Sequence, residues 1–305
     1  MDEFDMTASN IALLEGYVSA ARPMEEMFSV KGKTAIVTGG TSGLGFNIAL
    51  RLLQGGANVV IAGSSQAKGD YSLPILEKAG FGPDRVIFCR TNVREEADVE
   101  NLVKTAVETF GSLDIYVNSA AVWSYAHIYD MPAEEFRKVV DTNLTGAFLG
   151  IKFASRCMIE RGIHGKITLI SSNSAWLPYP VFGGYGHYTA SKGGVNSLAI
   201  EAAKELKRYG IEVNVVAPGG MVTAGASSNM CVESLPEEKQ DEFYDELMVW
   251  QTDEIPAVDT VAIVAYAMCT PMSDGMTGDV VVADSGMSHN IVKFQPEIAR
   301  FPEEE

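Results

Sequence analysis

Seven short apolar runs rich in β-branched residues recur along the chain, and most are separated by stretches whose apolar positions fall at helical spacing. The runs cover 33–38, 57–62, 85–89, 113–117, 166–170, 211–216 and 279–283. Continuous apolar character over five or six residues predicts buried strands. Residues 46–53 read as a helix. So do 95–110, where Val99, Leu102, Val103, Ala106 and Val107 share one face. A long helical stretch covers 134–160, another helix starts at Tyr188, and 258–264 adds a further apolar stretch. Strands alternating with helices in this way predict right-handed crossovers and an α/β fold. The expected architecture is a doubly wound parallel sheet of about seven strands, helices on both faces, in a single domain over 31–288. Residues 1–30 form an N-terminal extension in which 11–18 fit a short amphipathic helix. The weakly patterned, methionine-rich stretch at about 221–255 is expected to be a lid, and 289–305 an acidic tail.

Composition narrows the partners. The chain has 305 residues, 47% of them hydrophobic, which is enough apolar material for a large core. A net charge of −17 argues against nucleic acid and anionic membrane surfaces, which require basic patches. No apolar run is long enough to span a bilayer, so no membrane association is expected. The start Met1-Asp2-Glu3-Phe4-Asp5 is acidic where a secretory signal is basic, which points to a cytoplasmic protein. Cys89, Cys157, Cys231 and Cys269 lie far apart with no metal-ligand spacing. They read as free thiols in a reducing compartment, with no metal site.

Candidate chemistry gathers after the runs. The first is followed by Thr38-Gly39-Gly40-Thr41-Ser42-Gly43-Leu44-Gly45 and then a helix. Strand, glycine-rich turn and helix together suit a dinucleotide pyrophosphate: glycine permits positive φ and close backbone approach, and the helix start offers free N–H groups. Gly39, Thr41, Ser42, Gly43, Leu44 and Gly45 are therefore candidate cofactor contacts. An acidic residue after the second run would bond an adenosine ribose and mark NAD. Ser64 and Ser65 stand there instead, with Lys68 nearby and no arginine in the segment, which favours NADP(H) over NAD(H). Asn118-Ser119-Ala120-Ala121, after the fourth run, are small enough either for a ribose to approach or for tight strand–helix packing. Tyr188 and Lys192 lie four apart at the start of a helix, which sets an ammonium beside a phenol. A neighbouring cation favours phenolate, so this tyrosine can exchange a proton with an alcohol or ketone oxygen near neutral pH.

Together these residues resemble the short-chain dehydrogenase/reductase family over about 30–288. Thr38-Gly39-x-x-x-Gly43-x-Gly45 resembles its cofactor turn, and Asn118-Ser119-Ala120-Ala121 its Asn-Asn-Ala-Gly element with two replacements. Asn143, Ser172, Tyr188 and Lys192 match its four catalytic positions. Asn92-Val93 stands where the family has Asp-Val at the adenine, and Pro218-Gly219 with Thr223 matches the segment that holds the carboxamide. The resemblance implies a Rossmann-type fold, an NAD(P)-dependent oxidoreductase that interconverts a secondary alcohol and a ketone, and a homo-oligomer, tetramer or dimer. It implies that Ser172 bonds the substrate oxygen, Tyr188 moves its proton, and Lys192 bonds the nicotinamide ribose while lowering the tyrosine pKa. Asn143 would shape its helix so that a carbonyl holds a relay water. Ser172 and Tyr188 are separated by 15 intervening residues, a few more than is usual in the family, which leaves Ser174 as a competing serine.

Trp123, Tyr125, Trp176, Tyr179, Phe182 and Tyr185 flank these positions and suggest an apolar or ring-shaped small-molecule substrate, such as a hydroxysteroid or bile acid. A polyol, sugar or other small carbonyl is the alternative. A cofactor-binding relative without catalysis is the alternative of a different class.

Overall fold

The computed structural model describes residues 6–177, 184–221, 257–286 and 288. Tyr179, Phe182, Thr223, Cys231, all but the first residue of the 221–255 stretch and the whole 289–305 tail lie outside them.

Seven strands form one all-parallel sheet in the order β3-β2-β1-β4-β5-β6-β7. They are β1 (Thr34–Thr38), β2 (Asn58–Gly63), β3 (Val86–Arg90), β4 (Ile115–Asn118), β5 (Lys166–Ile170), β6 (Glu212–Pro218) and β7 (Val280–Ala283). Every run predicted a strand, and the ends move by no more than two residues. Strand order reverses between β1 and β4, so a crevice opens beyond their carboxyl ends, where Thr38 pairs in register with Asn118.

Two buried clusters flank the sheet. Ala35, Val37, Val59, Ile61, Ile115 and Val117 point to one face, and Ile36, Val60, Tyr116, Ile167 and Leu169 to the other. This is the strand's two-residue period at work inside predominantly apolar runs. On the first face lie α3 (Gly43–Gln54), α4 (Gln66–Lys78) and α9 (Val258–Ala267). On the second lie α5 (Glu96–Phe110), α7 (Gly146–Glu160) and α8 (Gly186–Leu206). Burying each of Ile36, Ile61 and Leu169 contributes roughly 2–3 kcal/mol.

Three features differ from the sequence reading. Helix α4 had no apolar signal strong enough to predict it, because Gly69 and Pro74 interrupt the pattern. Gly69 is needed there: a Cβ would lie 2.4 Å from the Phe88 ring. The stretch 134–160 is not one helix. It is α6 (Ala133–Val140), a wide i→i+5 turn at Asp141–Thr145, and α7. The N-terminal helix α1 (Met6–Ala20) is longer than predicted and has no buried side among residues 10–20. Ile11, Leu13, Leu14, Tyr17 and Val18 are all exposed. A single-turn helix, α2 (Met24–Met27), follows it. Cys89 and Cys269 are buried free thiols, as expected, while Cys157 is half-buried.

Candidate active site

The glycine turn is shaped by contacts that leave no room for side chains. Gly39 and Gly43 have φ of +66° and +54°. A Cβ on Gly39 would lie 2.9 Å from the Ala120 backbone, and one on Gly45 only 2.3 Å from the Gly39 carbonyl oxygen. Helix α3 therefore starts directly beneath the turn. Its N-cap Ser42 makes no side-chain cap, so the first N–H groups remain free for an anion. Thr41 is held from both sides: its carbonyl accepts from Ser72 Oγ at 2.8 Å, and its side chain lies over Gly63. Leu44 is buried in the core beneath.

Thr38 joins the two central strands at the switch point. Its hydroxyl accepts from the N–H groups of Ser119 and Ala120 at 3.2 Å each and lies 3.4 Å from Asn118 Oδ1. The small residues after β4 are thereby fixed beside Gly39. The sequence places Thr38 at the head of the glycine motif but gives it no role of its own.

At the end of β2, Ser64 is exposed and Ser65 is not free. Its hydroxyl caps α4, accepting from Lys68 N–H at 3.4 Å. The sequence reading found no arginine here, yet β3 supplies one. Arg90 pairs in register with Gly63, and its Nε lies 3.4 Å from the Ser64 carbonyl. Asn92 donates its N–H to Asp98 at 2.9 Å, while its Oδ1 accepts from Arg94; Val93 is buried against Gly146. Pro218 and Gly219 end β6, and Gly219 packs on Asp284, where a Cβ would lie 2.8 Å away.

Asn143 is fully buried in the wide turn. Its Oδ1 accepts from Val122 N–H at 2.8 Å, and its Nδ2 donates to the Val122 carbonyl at 2.9 Å and to Ser191 Oγ at 3.0 Å. Ser191 in turn donates to the Tyr188 carbonyl at 2.7 Å. One side chain thus couples three segments: the chain after β4, the turn, and the start of α8. These tertiary bonds give a physical reason for the helix to widen where asparagine sits.

Ser172, two residues past the end of β5, is the N-cap of a short turn, Asn173–Ala175, and accepts from Ser174 N–H at 3.1 Å. Both serines are buried. Asn173 reaches Asp284, whose carboxylate also accepts from Gly286 and Ser288. Burial alone would raise the Asp284 pKa, but these donors outweigh it and hold the carboxyl below its usual range.

Tyr188 is half-buried at the start of α8, with the Trp123 ring edge-on to its own and the ring centroids 6.0 Å apart. Lys192 Nζ stands 5.6 Å from the Tyr188 ring centroid, so the predicted spacing of four brings the pair together. Lys192 is 3% exposed, and its ammonium donates to the Ile170 carbonyl at 2.7 Å, its one hydrogen bond among the described residues. Burial pushes its pKa down to about 8. A buried ammonium with unused donors calls for further acceptors.

The comparisons agree with this geometry. Residues 33–230 match the short chain dehydrogenase family model. The chain belongs to the short-chain dehydrogenase/reductase family. An uncharacterized oxidoreductase of Thermotoga maritima is 37% identical over 195 residues, covering 64% of this chain and 73% of that one. The short chain dehydrogenase/reductase astE of Aspergillus oryzae is 36% identical over 218 residues, 71% and 81% of the two chains. The crystal structure of levodione reductase superposes with a TM-score of 0.77 at 28% identity, covering 85% of this chain and 99% of that one. The protein is an oxidoreductase of a family that binds NAD(P)(H). Its own residues fit that group: an uncapped helix start for the pyrophosphate, and free donors on Lys192 for a ribose. No helix among the described residues is long and apolar enough to cross a membrane.

Proposed function

We infer that the protein interconverts a secondary alcohol and a ketone, with NADP(H) as the preferred coenzyme and Tyr188 as the general acid/base. The observation that carries this reading is the buried Lys192 ammonium against the Tyr188 ring, at the rim of the switch-point crevice. When bound, the nicotinamide supplies or accepts the hydride. The Tyr188 phenol gives or takes the proton at the substrate oxygen, and the adjacent cation lowers the cost of its phenolate. Lys192 spends its remaining donors on the ribose. Ser172, rather than Ser174, hydrogen-bonds the substrate oxygen, because it lies nearer the carboxyl end of β5, two residues past Ile170. Asn143 fixes the wall of the site and anchors the water relay.

The coenzyme preference rests on Ser64 and Arg90 where an acidic residue would repel a 2′-phosphate. The substrate is apolar or ring-shaped, of the hydroxysteroid or bile-acid kind. Trp123 stands edge-on to Tyr188, and Tyr125 edge-on to Tyr185 at 5.9 Å, which supplies an aromatic wall beside the reacting oxygen. The levodione reductase likeness agrees with a carbonyl substrate. The chain acts as a homo-oligomer through α7 and α8, whose outer faces expose Phe148 and Ile200.

The test follows absorbance at the reduced-nicotinamide band, with NADH and NADPH against steroid ketones, sugars, quinones and simple ketones. NADPH oxidation with a steroid or ring ketone is expected, abolished in Tyr188→Phe while NADPH still binds. Arg90→Ala should weaken NADPH and leave NADH unchanged. Turnover that survives in Tyr188→Phe would overturn the mechanism. Turnover of a sugar with none of any steroid would overturn the substrate class.

A further inference from the structure

Next to Tyr188 lies a part-buried polar chain that the reaction above does not use. His187 is fully buried, and its Nε2 lies 2.9 Å from Ser124 Oγ. Ser124 donates to Glu135 Oε1 at 2.6 Å, and Lys138 flanks that carboxylate. The chain has one direction. The Ser124 hydrogen bond holds the Glu135 carboxyl below its usual range, so near neutral pH the carboxylate only accepts. Ser124 has a single proton and gives it to Glu135, so its oxygen must accept from an Nε2–H of His187. Burial keeps the imidazole neutral against the Glu135 charge and the Tyr185 backbone, which both favour its protonation.

The consequence lies in the segment between the pins. Asn143 clamps Val122 by both its N–H and its carbonyl. Two residues on, Ser124 is clamped by His187 from α8 and Glu135 from α6. Trp123 sits between these two clamps, with its ring edge-on to Tyr188. We propose that Glu135, Ser124 and His187 form a strap that sets Trp123 against Tyr188, making all three positioning residues for the proton-transferring phenol. The strap ties the N-terminal turn of α8, which carries the phenol, to the wall the phenol packs on. Losing it frees the Trp123 ring, and the phenol loses its fixed neighbour. This rests on the reading of Tyr188 as the acid/base.

The test uses Ser124→Ala, Ser124→Thr, Trp123→Phe and the double variant Ser124→Ala/Trp123→Phe in the full chain. In the enzyme without coenzyme, the emission lost on Trp123→Phe isolates the Trp123 signal. That signal should shift to the red, with lower anisotropy, in Ser124→Ala and return in Ser124→Thr. With NADPH and the fastest ketone of the panel above, Ser124→Ala should lower kcat about tenfold, the effect of roughly one hydrogen bond's worth of free energy. The NADPH Kd should stay within about twofold. Ser124→Thr should restore kcat. In the Trp123→Phe background the same Ser124→Ala change should cost less than about twofold, because the residue that the strap holds is gone. Unchanged Trp123 emission, or an equal tenfold loss in both backgrounds, would overturn the proposal. Turnover in Tyr188→Phe would instead overturn the reading on which it rests, so the two failures are distinguishable.

Discussion

Replacing Lys192 with Met should change the pH dependence of stability more than stability itself. Burial takes the ammonium from its ordinary 10.5 down to about 8 in the folded chain. At ~1.4 kcal/mol per unit, that is a penalty of about 3 kcal/mol on the protonated native state. Below pH 8 the lysine is protonated in both states and the penalty is fully present. Between pH 8 and 10.5 the unfolded chain holds the proton and the native one does not, so rising pH stabilises the fold. Met removes the charge and keeps most of the stem's volume, but it leaves the Ile170 carbonyl without its partner, at a cost of about 1–3 kcal/mol. The two changes nearly cancel at pH 7, where the variant should lie within about 2 kcal/mol of the parent. By pH 10.5 the parent should have gained about 3 kcal/mol on it. Urea unfolding of both chains without coenzyme, at steps from pH 7 to 10.5, reads this directly. NADPH, if its ribose accepts from the ammonium, should move the gain to higher pH. A gap between parent and variant that stays constant within about 1 kcal/mol across the range would refute the assignment of a depressed lysine.

The remaining predictions probe the frame around that pair. Gly45→Ala places a methyl 2.3 Å from the Gly39 carbonyl, which is backbone and cannot rotate away; it should cost about 1–3 kcal/mol in urea unfolding and abolish NADPH binding by fluorescence titration. Gly111→Ala, at φ +87° with open space around it, should cost about 1 kcal/mol and leave NADPH binding unchanged. Asn143→Ala strands both polar groups of Val122 and should cost about 3 kcal/mol or more, with a fall in kcat larger than the change in coenzyme Kd. Asp284 contributes stability that is present above the ordinary carboxylate pKa and is lost as pH falls through its lower native value. The unfolding free energy of Asp284→Asn should therefore fall less on acidification than that of the parent.

What was legible in the sequence was whatever depends on near neighbours. The strands announced themselves because most of their positions are buried and so carry apolar or β-branched residues in short runs, as in β1 and the last four residues of β5. Tyr188 and Lys192 were legible as a pair because helix geometry alone sets residues four apart side by side. Helix α4 was hidden because the residues that break its pattern answer to distant partners: Gly69 yields to the Phe88 ring of β3. Arg90 was hidden for a related reason. It lies 25 residues beyond Ser65, and only the β2–β3 register brings it to the Ser64 carbonyl. Asn143 shows where the two kinds of information meet. Its low helix propensity marked a place where the helix had a reason to be disturbed, but the reason is Val122 and Ser191, 21 residues back and 48 ahead. A propensity that is locally wrong thus points to a tertiary bond worth more than the local loss. The same logic applies to Lys192, whose burial costs about 3 kcal/mol. Stability gives the fold no reason to keep that charge, and the phenol beside it does.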